Sequence, residues 1–189
     1  MNYIKKFAFI LILPFTFSLF GQQIDWINFE EAIDLNDTEK KVEKKKVIID
    51  MYTDWCGWCK KMDATTFSDP SITKYVNENF HAVKFDGEQK EDIVFKGQTF
   101  KFVPSGRRGY HQLAGALVAG GRLSYPNIIF LDDDMNVIQA IPGYQDAKTL
   151  SMIMTYFAED HYIDTPWKSY VSEVQANQTN THPAGFKQN

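Results

Sequence analysis

Apolar positions along this chain recur in two rhythms. From Ile24 to about Leu35, Ile24, Ile27, Ala32, Ile33 and Leu35, with Trp26 and Phe29, return at close to helical spacing, which predicts an amphipathic helix. From Asp34 to Lys46 the chain turns highly charged; its KKVEKKK stretch at 40–46 reads as wet surface ahead of a strand rather than a docking patch. Val47 to Thr53 is a short β-branched run of the kind that forms a buried central strand. Trp58 to Phe67 reads as helix, and Ser68-Asp69-Pro70 announces another, with a cap at Ser68 or Asp69 and proline in the first turn, running to about Asn79. Phe80 to Asp86 is a second strand ended by Gly87, and strand–helix–strand order implies a right-handed parallel crossover. Ile128 to Leu131 and Val137 to Ile141 are third and fourth strands around the turn 132–136, where Asn136 suits a left-handed conformation. Asp146 caps a last helix, Ala147 to about Asp160, with Leu150, Ile153, Met154 and Phe157 on one face.

Between Gly87 and Ser124 lies a segment this alternation does not require. Its Lys90, Lys96, Lys101, Arg107, Arg108 and Arg122 outnumber Glu88, Glu91 and Asp92, and a helix is expected over His111–Ala119. The stretch from about Gln175 has little to bury and is expected to be mobile. There are no internal repeats.

Composition bounds the reading. A chain of 189 residues with 44% hydrophobic and 15% aromatic residues suits one globular α/β domain with a real core. Residues 1–21 stand apart: Lys5 and Lys6 precede an uncharged run from Phe7 to Phe20, the shape of a secretory signal peptide. That run falls short of the roughly 20 residues that span a bilayer and is interrupted by Pro14, so a permanent membrane helix is the weaker reading. Cleavage after Gly21 fits, although Leu19 departs from the small-residue rule. The expected organisation is a signal at 1–21, a domain at 22–160 with an insertion at 88–122, and a C-terminal extension at 161–189. The expected location is periplasmic or secreted. The chain carries a net charge of −4, and loss of Lys5 and Lys6 would make it −6, which argues against nucleic acid as a partner.

The stretch DMYTDWCGWCKKM at 50–62 holds both cysteines, two residues apart. A structural zinc site needs four ligands, and His81, His111, His161 and His182 are scattered without metal-binding spacing. Covalent haem attachment needs histidine directly after the second cysteine, where Lys60 stands. An inert disulfide is the serious rival, but so small a loop removes little unfolded-state entropy. A redox pair explains spacing and context together. Cys56 falls where a buried strand enters a helix, and free backbone N–H groups and the helix dipole there favour a thiolate. Cys59, one turn further in, can attack the resulting mixed disulfide. Trp55 and Trp58 would frame the exposed sulfur, with Gly57 between them on the rim.

These residues resemble the thioredoxin superfamily, most closely the thioredoxin-like domain at the end of the membrane-bound thiol:disulfide interchange reductases of the bacterial periplasm. DMYTDWCGWCK is similar to the family's strand and active-site turn, TTFSDPSI at 65–72 to the segment that follows in the interchange reductases, and YPNIIFLD at 125–132 to the cis-proline strand. The resemblance covers about residues 45–87 and 123–157. It implies a thioredoxin-like fold, a central mixed sheet flanked by helices, here with a largely helical insertion at about 88–122. It implies that Cys56 attacks, Cys59 resolves, Pro126 is the cis-proline beside the disulfide, and Asp50 is the buried acid six residues before the first cysteine. Tyr125 and the tryptophans would then meet the substrate, and Lys84 is a candidate partner for Asp50 in an ambiguous register. Burial in the run Val47 to Met51 is expected to raise the Asp50 pKa.

Gly57-Trp58 replaces the Gly-Pro of thioredoxin, and Tyr125 replaces the usual aliphatic residue. The insertion reads either as a substrate-binding flap or as structural elaboration. The expected function is thiol–disulfide exchange on protein thiols and disulfides, using no cofactor beyond the Cys56–Cys59 couple. The resemblance favours a reductase or electron carrier recharged by a membrane-bound or soluble thiol reductant. An oxidase or isomerase, and a non-catalytic binding module, are the alternatives.

Overall fold

In a computed structural model, described for residues 23–37, 44–118 and 120–180, the chain begins with β1 (Trp26–Ile27), α1 (Phe29–Leu35), β2 (Lys46–Tyr52), α2 (Gly57–Thr65), α3 (Pro70–Asn79) and β3 (Phe80–Asp86). It continues through β4 (Ile93–Phe95), β5 (Gln98–Phe100), β6 (Phe102–Ser105), β7 (Arg108–His111) and α4 (Gln112–Leu117). It ends with β8 (Asn127–Leu131), β9 (Val137–Pro142), α5 (Ala147–Ala158), α6 (His161–Asp164) and α7 (Trp167–Asn180). The signal-peptide expectation, the lysine-rich stretch up to residue 43 and the chain after 180 lie outside the described residues.

The main sheet has strand order β1-β3-β2-β8-β9. β1 and β2 pair with β3 in parallel, whereas β8 runs antiparallel to β2 and β9 to β8. The four expected strands are all present, and β1 adds a short edge. That edge shortens the predicted first helix, which begins only at Phe29: the Asn28 side chain accepts the Glu31 N–H at 2.8 Å and so supplies the cap a helix start needs. Asp69 plays the same role for α3, accepting the Ser71 and Ile72 N–H groups at 2.8 and 3.3 Å, with Pro70 in the first turn.

Alternation along β2 sends its side chains to two covered faces. Ile48 joins Met62, Ile72, Val76, Phe130 and Leu150 on the face that carries α2, α3 and α5. Val47, Ile49 and Met51 join Phe29, Phe85, Ile93 and Leu117 on the other. This second face is covered by α1 and the insertion.

The insertion is not largely helical. It is two β-hairpins, β4–β5 and β6–β7, followed by the six-residue α4, which stands where a longer helix was expected. The physical reason is local. Ile93-Val-Phe95 and Gln98-Thr-Phe100 flank Lys96 and Gly97, both at positive φ, and Phe102–Ser105 and Arg108–His111 flank Gly106 at positive φ; these are hairpin turns, which helical periodicity does not score. Ile93, Phe100, Leu113, Ala114, Leu117 and Val118 are buried, so the segment supplies about a third of one core. His111 anchors it: the ring is fully buried, its Nε2 lies 3.1 Å from the Glu91 carbonyl, its Nδ1 accepts the Leu113 N–H at 3.3 Å, and its backbone N–H donates to Gly87 at 2.7 Å. Burial holds its pKa below that of a free imidazole, consistent with a neutral ring.

In the C-terminal extension Tyr170 is buried and packs on Tyr156 of α5, and α7 runs to Asn180.

His111→Ala removes both ring contacts and leaves the Leu113 N–H without its cap. Urea denaturation is expected to show a loss of about 1–3 kcal/mol. Amide exchange is expected to accelerate first in residues 88–118; an unchanged midpoint would assign the anchoring to the apolar contacts alone.

Candidate active site

β2 is followed by the buried Thr53, and the chain turns through Asp54 and Trp55 into α2. Cys56 is the N-cap: its backbone is extended and its Sγ accepts the Cys59 N–H at 3.1 Å. A nine-residue helix therefore aims one of its free N–H groups at this sulfur. Cys56 and Cys59 form a disulfide with Cα atoms 5.3 Å apart. Cys56 was expected to be the accessible member, yet in the disulfide both residues are almost covered, 4% and 3% exposed. What distinguishes them is position at the helix start and one turn inside it. Gly57 is exposed, and Trp55 and Trp58 are 48% and 57% exposed, an unusual amount of apolar surface to leave in water.

The Tyr125–Pro126 peptide is cis, and Pro126 is buried at the start of β8. The Tyr125 ring meets Trp55 edge-on at 5.9 Å, which sets the cis bond beside the residue preceding Cys56. On its other side it lies against Gly87, where an added Cβ would come within 2.2 Å of the Tyr125 hydroxyl oxygen. The end of β3 thus needs glycine because the residue before the cis-proline is a tyrosine. Burial pushes the Tyr125 hydroxyl up to about 12, so it stays protonated.

Asp50 is 1% exposed and stands opposite Lys84 in the β2–β3 register. This resolves the ambiguous pairing: the Lys84 ammonium donates to Asp50 Oδ2 and also to Asp63 on α2. Asp50 Oδ1 makes no hydrogen bond. Strand alternation puts Asp50 on the same face as Ile48, the face covered by α2. Burial raises the Asp50 pKa from 3.8 to about 6, and the attraction of Lys84 only partly offsets it. Partial burial pulls the Lys84 pKa down, but Asp50 and Asp63 outweigh it and hold the ammonium above its usual value. The network therefore keeps its cation firmly and its buried carboxylate reluctantly.

Lys61 and Tyr144 carried no sequence signal, and Arg108 only that of the insertion's positive charge. Lys61 Nζ lies 4.6 Å over the Trp58 ring and 5.2 Å from that of Tyr144, which meets Trp58 at 5.5 Å. The Arg108 guanidinium, delivered by the β6–β7 hairpin, lies 4.0 Å over Trp55. A groove of 480 Å3 opens there, lined by Trp55, Leu123, Tyr125, Tyr110, Arg108 and Glu88. A larger cavity of 570 Å3, lined among others by Ile138, Tyr156, Phe157 and Trp167, lies away from the disulfide and holds no thiol or carboxylate. Among the described residues no group of three or more His, Cys, Asp or Glu is placed to hold a metal ion.

The arrangement can hold a thiolate at a helix start, a resolving sulfur one turn away and a buried acid poised near neutrality. Comparison with known proteins points the same way. The thiol:disulfide interchange protein DsbD of Escherichia coli is 42% identical over 51 residues, which are 27% of this chain and 9% of that protein. Mouse spermatogenesis-associated protein 20 is 30% identical over 88 residues, 46% of this chain and 11% of that protein. The chain spans only a small part of the length of these relatives. Among solved structures, a thioredoxin-fold protein from Helicobacter pylori aligns with a TM-score of 0.52 at 16% identity, over 74% of this chain and 87% of that one, a likeness of fold alone. A family model of the thioredoxin-like domain matches residues 34–158, and the chain belongs to that family.

Proposed function

We propose that this protein is an extracytoplasmic thiol–disulfide oxidoreductase that works as a disulfide reductase or electron carrier. The observation that carries the reading is the Cys56–Cys59 disulfide at the α2 N-terminus, framed by two exposed tryptophans. The pattern of residues 1–21 supports export, the local similarity to the thiol:disulfide interchange protein DsbD supports thiol–disulfide exchange, and the resemblance to the interchange reductases favours the reductive direction.

In the reduced protein the Cys56 thiolate attacks one sulfur of a substrate disulfide. A mixed disulfide forms, and the substrate's other sulfur leaves as a thiolate and takes up a proton. Cys59 then loses its proton to Asp50 Oδ1, directly or through water, and attacks Cys56. The substrate departs with its second thiol and the Cys56–Cys59 disulfide closes, so two electrons have moved to the substrate. A dithiol donor restores the couple. Asp50 suits this step because an acid titrating near 6 can accept a proton near neutrality and release it again. Tyr125, which among the described residues has no backbone hydrogen bond to a neighbouring strand, offers its N–H and C=O to an extended substrate segment.

Cys59→Ser is expected to trap the mixed disulfide and Cys56→Ser to form none. Alkylation of the reduced protein against pH is expected to show Cys56 as the faster thiol, titrating below the roughly 8.5 of a free cysteine. Faster reaction at Cys59 would reverse the roles. Equilibration with glutathione is expected to give a potential more negative than about −200 mV, and a value near −120 mV would make the protein an oxidant.

Asp50→Asn separates stability from chemistry. The folded-state pKa of Asp50 lies above its unfolded value, so its contribution is most favourable below about pH 4 and is lost as pH rises through about 6. At pH 8 wild type holds a buried carboxylate, and the Asn variant, with Lys84 still paired to Asp63, is expected to be more stable by roughly 1–3 kcal/mol. That gap is expected to close near pH 4. Stopped-flow measurement at pH 7 is expected to show mixed-disulfide resolution slower by about 10- to 100-fold; an unchanged rate would reduce Asp50 to a structural acid.

A further inference from the structure

The disulfide belongs to a chain of net charge −4, yet the side chains around it carry the opposite sign. Arg108 lies over Trp55 on the hairpin side and Lys61 over Trp58 on the helix side. Arg107 and Lys60 are exposed next to them in sequence. Elsewhere Lys44, Lys46, Lys74, Lys84 and Lys101 each pair with a carboxylate, whereas Lys45 and Lys96 bind neutral oxygens and Lys90 lies over the Phe102 ring. Among the described residues none of the four cations of the rim does.

The acids nearby do not cancel this charge. Asp86 is half-buried, accepts the Glu88 N–H at 2.9 Å, and has its pKa raised by burial. Asp63 is bound to Lys84. Asp54, Asp86 and Glu88 are left to face four cations. An arginine held over an aromatic face retains N–H donors for a carboxylate, and stacking limits the freedom it loses on pairing. An aromatic floor, two rings of which stand beside the disulfide, suits an extended chain whose flanking side chains reach the rim.

We propose that the polypeptide which exchanges with Cys56 carries acidic residues beside its reacting cysteine, and that Arg108 and Lys61 recognise them from the two sides of the disulfide. This rests on the thiol–disulfide exchange proposed above. It assigns the β6–β7 hairpin a second task besides closing the core: its turn presents Arg108 as a specificity residue.

The test uses the reduced full chain and three symmetric peptide disulfides that differ only in one residue about two positions from cysteine, Asp, Asn or Lys, with neutral hydroxyethyl disulfide as reference. The Asp peptide is expected to react about two- to five-fold faster than the Asn peptide, the scale of an exposed ion pair, and the Lys peptide slower than either. The spread is expected to shrink between about 0.05 M and about 1 M salt as the screening length falls to about 3 Å. Arg108→Glu is expected to level or reverse the order and Arg108→Lys to keep it. Equal rates on all three peptides, a preference for Lys, or a uniform slowing by Arg108→Glu without reordering would overturn the inference. Should Arg108→Glu fail to fold, the salt series on wild type decides alone. Failure to reduce hydroxyethyl disulfide would instead overturn the proposed exchange reaction itself.

Discussion

Strand β2 is bonded on both edges, by β3 and β8, and covered on both faces, and the site depends on that confinement. A strand so enclosed must be apolar, and Val47 to Met51 obey except at Asp50. The exception is chemically expensive, since a carboxylate deprived of water resists ionisation. Lys84, on the adjacent strand, offsets the cost only in part, and the result is a carboxyl poised near pH 6 instead of 4. The same rigid strand delivers Cys56 to the start of α2, so one element positions both the acid and the first sulfur.

The elements around this strand were legible in the sequence because each carries a period or a cap. β2, β3, β8 and β9 are short apolar runs ended by turn residues, and Asp69-Pro70 and Asp146 mark helix starts that the structure bears out. The cysteine pair was legible through its spacing, and Tyr125-Pro126 through the family resemblance. The Asp50–Lys84 pairing was not, because strand register depends on which faces are buried, and a shift of one residue turns every side chain over. Lys61 and Tyr144 were not legible either, and Arg108 was legible only as one of the insertion's positive charges: they reach the site through long-range stacking on Trp55 and Trp58, and a charged residue over an exposed ring leaves no periodic trace.

The insertion shows where periodicity misleads. Its hairpins are three or four residues per strand, too short for alternation to stand out, and their turns are set by Gly97 and Gly106 at positive φ. Flap and structural elaboration are opposed readings of the insertion, and its parts differ in what they touch. β4, β5 and α4 bury Ile93, Phe100, Leu113 and Leu117 against the sheet, whereas the β6–β7 turn stays exposed and reaches Trp55. Excising the whole segment would strip one face of the sheet, so loss of activity after such a deletion would say nothing about substrate contact. Only changes at the hairpin turn address it.

Gly87 joins these two tasks. Its N–H donates to Tyr52 at the end of β2, its carbonyl accepts from His111 at the base of the hairpin, and its missing side chain gives Tyr125 the space to lie against Trp55. A larger residue there would push the Tyr125 ring toward Trp55 and, through it, disturb the platform on which Arg108 rests. The bulky tyrosine before the cis-proline is thus accommodated by a glycine 38 positions earlier in the chain. The hairpin, the cis-proline turn and the active-site turn meet around this one contact, so the shape of the groove is set by core packing and hydrogen bonding.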